Sequence, residues 1–378
     1  MEVNHMAEFL QLMENWRGFS PATAKRFSEA QLTEALRLVR NEYGMSRYAH
    51  QHALHEAITT SDFPTLFGVL VQNDMLAKWQ INVPDWKAYC PTGTLPNFNT
   101  HNKHKVYGQD NLLPQVAEKA PYLATPSGTG AYTNALAKYG RQFDISWESV
   151  INDSMGAFAD IAERFANAAI RTEARHVTEL YSSATGPAAG LFGAPIADVD
   201  GQNVTNTGVL PLTIANLQTT LQLMALQTDP NGEPIAVRGV HLVVPTSLEF
   251  TARAILSSAM QQELASAVPV PVTNIVPQLG IKLHVDPYLE VVDTSGTGDT
   301  TWYLFAEPSQ GRSIQMDRLA GHEAPEVCMK ASDKISMGGG AISPFEGDFD
   351  TDDIKYRVRV VHGGWQLDPR YCYAQVGQ

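Results

Sequence analysis

Several groups of residues in this 378-residue chain have types and spacings that chemistry uses. HQHALH brings His50, His52 and His55 close together. In a helix His52 and His55 share a face and His50 does not, and no carboxylate or cysteine follows at ligand spacing. The run therefore reads as a solvated helix end rather than a metal site. SGTGAY (127–132) and SGTGDT (295–300) have the composition of phosphate loops. Neither follows a buried strand and opens a helix, and neither carries the P-loop lysine, so both read as turns. MGGG (337–340) reads as a backbone joint. EGDFDTDD (346–353) gathers Glu346, Asp348, Asp350, Asp352 and Asp353. A calcium loop starting at Asp348 needs glycine at its sixth position, where this chain has Asp353, so the run reads as a solvated acidic loop. Cys90, Cys328 and Cys372 are scattered and lack metal-ligand spacing, which predicts reduced thiols rather than a disulfide framework. No nucleophile elbow, zinc-protease helix or paired-cysteine motif appears. The residues assign no catalytic, cofactor-binding or metal-ligating position, and the chain reads as a non-enzyme.

The elements that would carry such residues come next. Length predicts about two domains, and composition narrows their class. Charged residues make up only 18%, with 27 Lys and Arg against 40 Asp and Glu, a net charge of −13. That balance argues against a nucleic-acid grip, which needs a basic surface. Apolar content of 44% argues against disorder. No run approaches the ~18 apolar residues of a membrane span, and MEVNHMAEF lacks the basic and apolar regions of a signal peptide. Low charge on a soluble chain implies that partners cover much of its surface, because interface cores are depleted of charge.

Periodicity places the elements. EFLQLMENW (8–16) and SEAQLTEALRLVRNEYG (28–44) read as helices, the second capped by Ser28 with a Leu32, Leu36, Val39 stripe, and a further helix is expected within 61–79. Residues 90–140 are rich in Pro and Gly and carry little core pattern, ending in the strand-like AKYGRQFDIS (137–146). A stretch that long without its own core is functional or an extended arm. ISWESVIND (145–153) predicts a short helix. The run 154–183 predicts a very long one, with Phe158, Ile161, Phe165, Ala168, Ala169, His176 and Leu180 on one side. Beyond it the order becomes mixed: a helix at 210–227, a buried strand at 239–245, a helix at 246–258 capped by Thr246 or Ser247, and strands at 280–289 and 301–308. KYRVRVVHGGW (355–365) alternates strictly, with Gly363-Gly364 read as its turn.

This ordered set resembles the major capsid proteins of tailed bacteriophages, the Hong Kong 97-type fold. KYGRQFDISWESVINDS (138–154) looks like the strand and short helix that lead into that family's spine helix, and 154–183 looks like the spine. GPAAGLFGAP (186–195), GVHLVVPTSLEFTARAIL (239–256), GIKLHVDPYL (280–289), TWYLFAEP (301–308) and YRVRVVHGGWQLDPR (356–370) follow in matching order and character. The likeness covers roughly residues 60–376, and no single motif in it is diagnostic.

The resemblance implies an α+β fold with a discontinuous peripheral domain (a long spine helix plus sheet), an inserted axial α/β domain, an extended loop and a helical N-terminal arm. Its boundaries are 1–56 for the arm, 57–94 for the first peripheral part and 95–145 for the extended loop. The second peripheral part with the spine is 146–204, the axial domain 205–340 and the third peripheral part 341–378. It implies a structural subunit that self-assembles into hexamers and pentamers of an icosahedral shell enclosing double-stranded DNA, in a virion assembled in the host bacterial cytoplasm. An encapsulin-like cellular compartment has the same fold and is the alternative. Implied partners are other copies, a portal protein, a separate scaffolding protein, a decoration protein and packaged DNA held by loose proximity, with no membrane. The short N-terminal region predicts no cleaved scaffold segment. Some relatives join subunits by Lys–Asn bonds; Lys103, Lys105 and Lys119 lie in the loop but read as ordinary surface lysines.

Overall fold

The computed structural model describes residues 72, 75–81, 83–108, 113, 115–119, 122, 124, 127–146, 155–258, 260–265, 268–335, 337 and 347–377. The helices expected at 8–16 and 28–44, the short helix past Ser146, the histidines 50, 52 and 55, and glycines 338–340 lie outside the described residues. Residues 75–81 are helical, as the pattern of 61–79 predicts.

In chain order the main strands and helices are β1 (Thr92–Leu95), β2 (His101–Tyr107), β3 (Gly128–Asn134), β4 (Ala137–Ser146), α1 (Met155–Tyr181), β5 (Thr207–Gly208), α2 (Ile214–Ala225), β6 (Gly239–Val244), α3 (Glu249–Ser257), β7 (Lys282–Val285), β8 (Trp302–Ala306), β9 (Ile314–Leu319), β10 (Glu326–Met329), β11 (Asp353–Gln366) and β12 (Cys372–Gln375). They form two compact units. The first takes in residues up to Val83, Lys138–Arg171 and Ala320–Val361; the second takes in Pro84–Ala137, Thr172–Leu319 and His362–Gln378.

The second unit is built on a five-stranded mixed sheet in the order β7-β6-β8-β12-β5. All five residues of β8 are buried, which identifies it as a strand with both faces covered. Alternation sorts its side chains onto two cores. Trp302, Leu304 and Ala306 join Leu242, Val244 and Tyr373 against Leu217 and Met224 of α2 and Ala252 and Ile255 of α3. Tyr303 and Phe305 join Val243, Cys372 and Ala374 against Trp86, Tyr89 and the α1 residues Val177 and Tyr181. Each large side chain so buried contributes roughly 1.5–3 kcal/mol.

Two helix starts differ from the sequence pattern. α2 begins at Ile214 because the Thr213 hydroxyl oxygen accepts from the Asn216 N–H at 3.2 Å. Ahead of α3, residues Thr246–Leu248 make a 3-10 turn. Ser247 does not cap it, because its hydroxyl donates to the Asp299 carbonyl at 2.5 Å. On α1, the buried positions among the described residues are Phe165, Ala166, Ala169, Glu173, Val177, Thr178, Leu180 and Tyr181, whereas Ala168 is exposed.

β11 confirms the alternation and corrects the turn. Ile354, Tyr356, Val358 and Val360 are buried, while Lys355, Arg357 and Arg359 are not. In the first unit, residues 356–359 pair antiparallel with β10, and β4 also pairs with β11. In the second, residues 362–366 pair antiparallel with β9, which runs parallel to β1. Gly363-Gly364 is therefore strand, not turn. A Cβ on Gly363 would sit 2.6 Å from the Ala135 carbonyl oxygen, and one on Gly364 would collide with Leu180. Glycine inside a strand often marks this kind of close approach. SGTGAY is likewise corrected: Gly128–Asn134 is a strand paired antiparallel with β2 over its whole length. SGTGDT does lie in the connection between a helix ending at Val292 and β8.

Gly363→Ala is expected to destabilise the protein by about 1–3 kcal/mol, because backbone rather than a flexible side chain must give way. Its denaturant midpoint, compared with that of the unaltered protein, checks this; equal midpoints would refute the packing argument.

Candidate functional site: an anchored hairpin

Among its described residues, the Pro/Gly-rich excursion contains a two-stranded ribbon, β2 with β3. Both strands alternate half-buried and exposed along their seven residues, so the ribbon has one face on the protein and one in solvent. The covered row is His101, Lys103, Lys105 and Tyr107 on β2, facing Asn134, Tyr132, Gly130 and Gly128 on β3. The two glycines explain their motif. A Cβ on Gly128 would lie 2.5 Å from the Tyr107 ring, and one on Gly130 would strike the Val199 carbonyl. The spacing G-x-G lets a strand lie flat beneath a tyrosine and a neighbouring backbone, and no phosphate is involved.

Lys105 ties this face down. Its Nζ lies 2.6 Å from Asp198 Oδ2, 3.2 Å from Asp200 Oδ2 and 2.5 Å from Asp368 Oδ2. Arg370 closes the other side, with a guanidinium nitrogen 2.8 Å from Asp198 and 2.9 Å from Asp200, and Nε donating to the Thr228 carbonyl at 2.9 Å. The Tyr132 hydroxyl donates to Asp198 Oδ1 at 2.7 Å. Three buried carboxylates are thus shared by two cations and a phenol.

The charges respond accordingly. Burial works to raise Asp200, but the Arg370 hydrogen bond, the Gln202 N–H and Lys105 outweigh it and bring its pKa from 3.8 down to about 2. Burial works to lower Lys105 and Arg370, but their carboxylates outweigh it and hold both above their ordinary values. Burial, and then the bond to Asp198, push the Tyr132 phenol up.

A second tie is made by Lys103. Its ammonium lies 4.5 Å from the Trp365 ring centre and 3.8 Å from Asp317 Oδ2. Asp317, almost fully buried, also accepts from Trp365 Nε1 at 2.6 Å and Gln315 Nε2 at 2.5 Å. Burial lowers the Lys103 pKa, with Asp317 opposing. Lys103 and Lys105 are therefore not the ordinary surface lysines that the sequence predicts. Lys119 is exposed, at a positive φ of 61°. A further buried pair stands close by in sequence to Asp317: Arg318 Nε and Nη2 donate to Glu173 at 3.1 and 2.9 Å.

The other motifs go elsewhere. Of EGDFDTDD, Asp348 is buried rather than solvated. It pairs with Lys355 and accepts from the Thr351 N–H at 3.0 Å and hydroxyl at 2.8 Å, contacts that hold its pKa below the carboxylate range. Cys90 and Cys372 are buried and Cys328 is exposed, all three free. Among the described residues, no group of three or more His, Cys, Asp or Glu side chains is arranged to hold a metal ion, and no helix is long and apolar enough to cross a membrane. The sequence reading missed Tyr132, Asp198, Asp200, Asp317, Glu173, Asp368 and Arg370. The available signal was charge set into apolar surroundings, as in IADVDG and LDPRYCYA.

Arg370→Met is expected to destabilise the protein by about 3–5 kcal/mol, because it strips a partner from buried carboxylates; urea unfolding measures this, and a loss below about 1 kcal/mol would sink the anchor. Because the folded pKa of Asp200 is depressed, the stability it contributes is present above about pH 4. It is lost as the pH falls towards about 2. Thermal midpoints followed from pH 6 to pH 2 should fall more steeply for the unaltered protein than for Asp200→Asn.

A family of proteins described as phage capsid protein matches residues 131–375. No curated protein matches the chain. Among solved structures, one from Gordonia phage Cozz is 14% identical, with a TM-score of 0.45, covering 76% of this chain and 84% of its own. The capsid structure of the cyanophage P-SCSP1u is 9% identical, with a TM-score of 0.47, covering 78% and 88%. The holo-SrpI encapsulin complex from Synechococcus elongatus PCC 7942 is 11% identical, with a TM-score of 0.44, covering 79% and 86%.

Proposed function

Because the chain belongs to the phage capsid protein family, it is a subunit of a capsid shell, and we propose that it builds that shell from hexamers and pentamers in the host bacterial cytoplasm. The family match over 131–375 carries this reading. The role is structural rather than catalytic. The shell encloses double-stranded DNA, with a portal protein, a separate scaffolding protein and a decoration protein as partners.

The anchored hairpin supports an assembly role on physical grounds. A ribbon fixed on one face by Lys103 and Lys105 presents its other face rigidly, so little ordering entropy is lost when a neighbour binds it. Val106 on that face is more than half exposed, and Leu113 and Tyr122 in the same excursion are 95% and 87% exposed. Side chains of that kind would gain burial against another copy. Head-to-tail contacts between copies close into rings when the rotation permits, and rings close into shells. In this reading 1–56 is an arm, 95–145 the loop over a neighbour, 205–340 the axial domain, and 57–94, 146–204 and 341–378 the parts of the peripheral domain.

Electron microscopy and sedimentation of the full chain should reveal closed shells or capsomers of megadalton size. A stable monomer or dimer under every condition tried would overturn the reading, and shells that carry a cellular enzyme instead of a genome would move it to the encapsulin-like alternative. Deleting 1–56 should abolish assembly while leaving the subunit's unfolding transition in place; loss of that transition would refute the arm.

A further inference from the structure

Strands β4 and β11 of the first unit form a groove of about 280 Å³. Lys138, Arg141 and Gln142 line it from β4, and Arg357 and Arg359 from β11. Its floor is Gly140, where a Cβ would lie 2.7 Å from the Val358 carbonyl oxygen, so glycine lets the two backbones approach. Strand geometry explains the cation row: Lys355, Arg357 and Arg359 alternate with the buried Tyr356 and Val358 and so share the outer face.

The charges in and beside this groove differ in how they are balanced. Arg359 pairs with Glu326, which also takes a hydrogen bond from His322, and Lys355 pairs with Asp348. Lys138, Arg141 and Arg357 are exposed, and no carboxylate pairs with them among the described residues. Three unneutralised cations in one groove stand out on a chain whose net charge is −13.

The lining selects the occupant. Its only apolar contributions are Gly140 and the buried Val358, so a protein partner would find no apolar core to bury. It holds no aromatic ring, so unstacked bases of a single strand would find no platform. Guanidinium forks and an ammonium suit phosphate oxygens, and they suit them irrespective of base sequence. We propose that this groove is a weak, sequence-independent contact site for the phosphodiester backbone of double-stranded DNA. The site rests on the shell reading, in which such DNA is packed beside the subunit. It gives a chain of net negative charge a local attractive patch among its described residues.

The test measures anisotropy of a fluorescent duplex of about 30 base pairs titrated with the full-length chain across a salt series. Three phosphate contacts give a slope of log K against log salt of about −2 to −3. K138Q/R141Q/R357Q should bind at least about tenfold more weakly with a slope near zero, whereas K138R/R141K/R357K, which keeps the charge, should bind within about threefold of the unaltered chain. Absence of binding by the unaltered chain at low salt would overturn the site, and so would equal binding by the glutamine variant. Loss of assembly by that variant with its DNA binding intact would also overturn it and make the groove a contact between copies. A chain that binds DNA in this way but never assembles refutes the shell reading while the groove stands; a chain that assembles but does not bind refutes the groove alone.

Discussion

Asp198, Asp200 and Asp368 lie together out of water, and the second unit depends on how that charge is balanced. An isolated buried carboxylate costs several kcal/mol in lost hydration. Here Lys105 and Arg370 meet all three carboxylates, and Tyr132 meets Asp198. The participants come from β2, β3, the turn at 198–200 and the segment leading into β12. None of these segments can be satisfied without the others, so the cluster fixes which parts of the chain come together. A hydrophobic patch of the same area would attract as strongly but would tolerate sliding. The charged arrangement tolerates none, because a shift of a residue along β2 would turn Lys105 to the solvent face.

Glycine makes that placement possible. Gly130 lies directly across from Lys105 and passes beneath the Val199 carbonyl, so the backbone carrying Asp198 and Asp200 can come within reach of a lysine on the next strand. Gly363 and Gly364 serve β11 in the same way, against Ala135 and Leu180. Close packing of backbone on backbone brings Trp365 to Asp317 and Lys103 to Trp365. The hairpin is therefore held at two points, one ionic and one ionic and aromatic, with small residues beneath both.

These particulars show what a sequence can and cannot reveal. β8, α1 and the alternating half of β11 were legible because burial imposes a period on the chain: none for a strand covered on both sides, 3.6 for a helix and 2 for a half-buried strand. The glycine pair at 363–364 and SGTGAY were misread because a glycine required by a turn and one required by a close neighbour look the same in one dimension. Of the anchor, the sequence carries only charge set into apolar surroundings, without its partners. Asp198 and Asp368 are ordinary acids until the fold places Lys105 and Arg370 beside them, and that proximity spans 93 and 263 residues from Lys105. The sequence places the hairpin lysines on the surface, whereas partial burial of their stems and heads is what gives them a role.

The low charge density then has a structural account. Some of the few charges that the chain carries are used internally, in the Lys105 and Arg370 cluster, the Glu173–Arg318 pair and the Asp348–Lys355 pair. Charges paired in this way do not repel other copies, so faces left with few charges can meet at low electrostatic cost. Each such contact can be weak, because a closed ring repeats it by symmetry and every copy is held by two neighbours. Weakness is useful there: a subunit bound by one contact can leave and rebind, while one bound on both sides stays. Rigidity is what turns weak contacts into a closed object, since a floppy arm would lose on ordering what it gained in burial. The buried ion cluster gives the hairpin rigidity of that kind, and under the proposed assembly the residues that hold one chain's hairpin in place would also set how accurately copies meet.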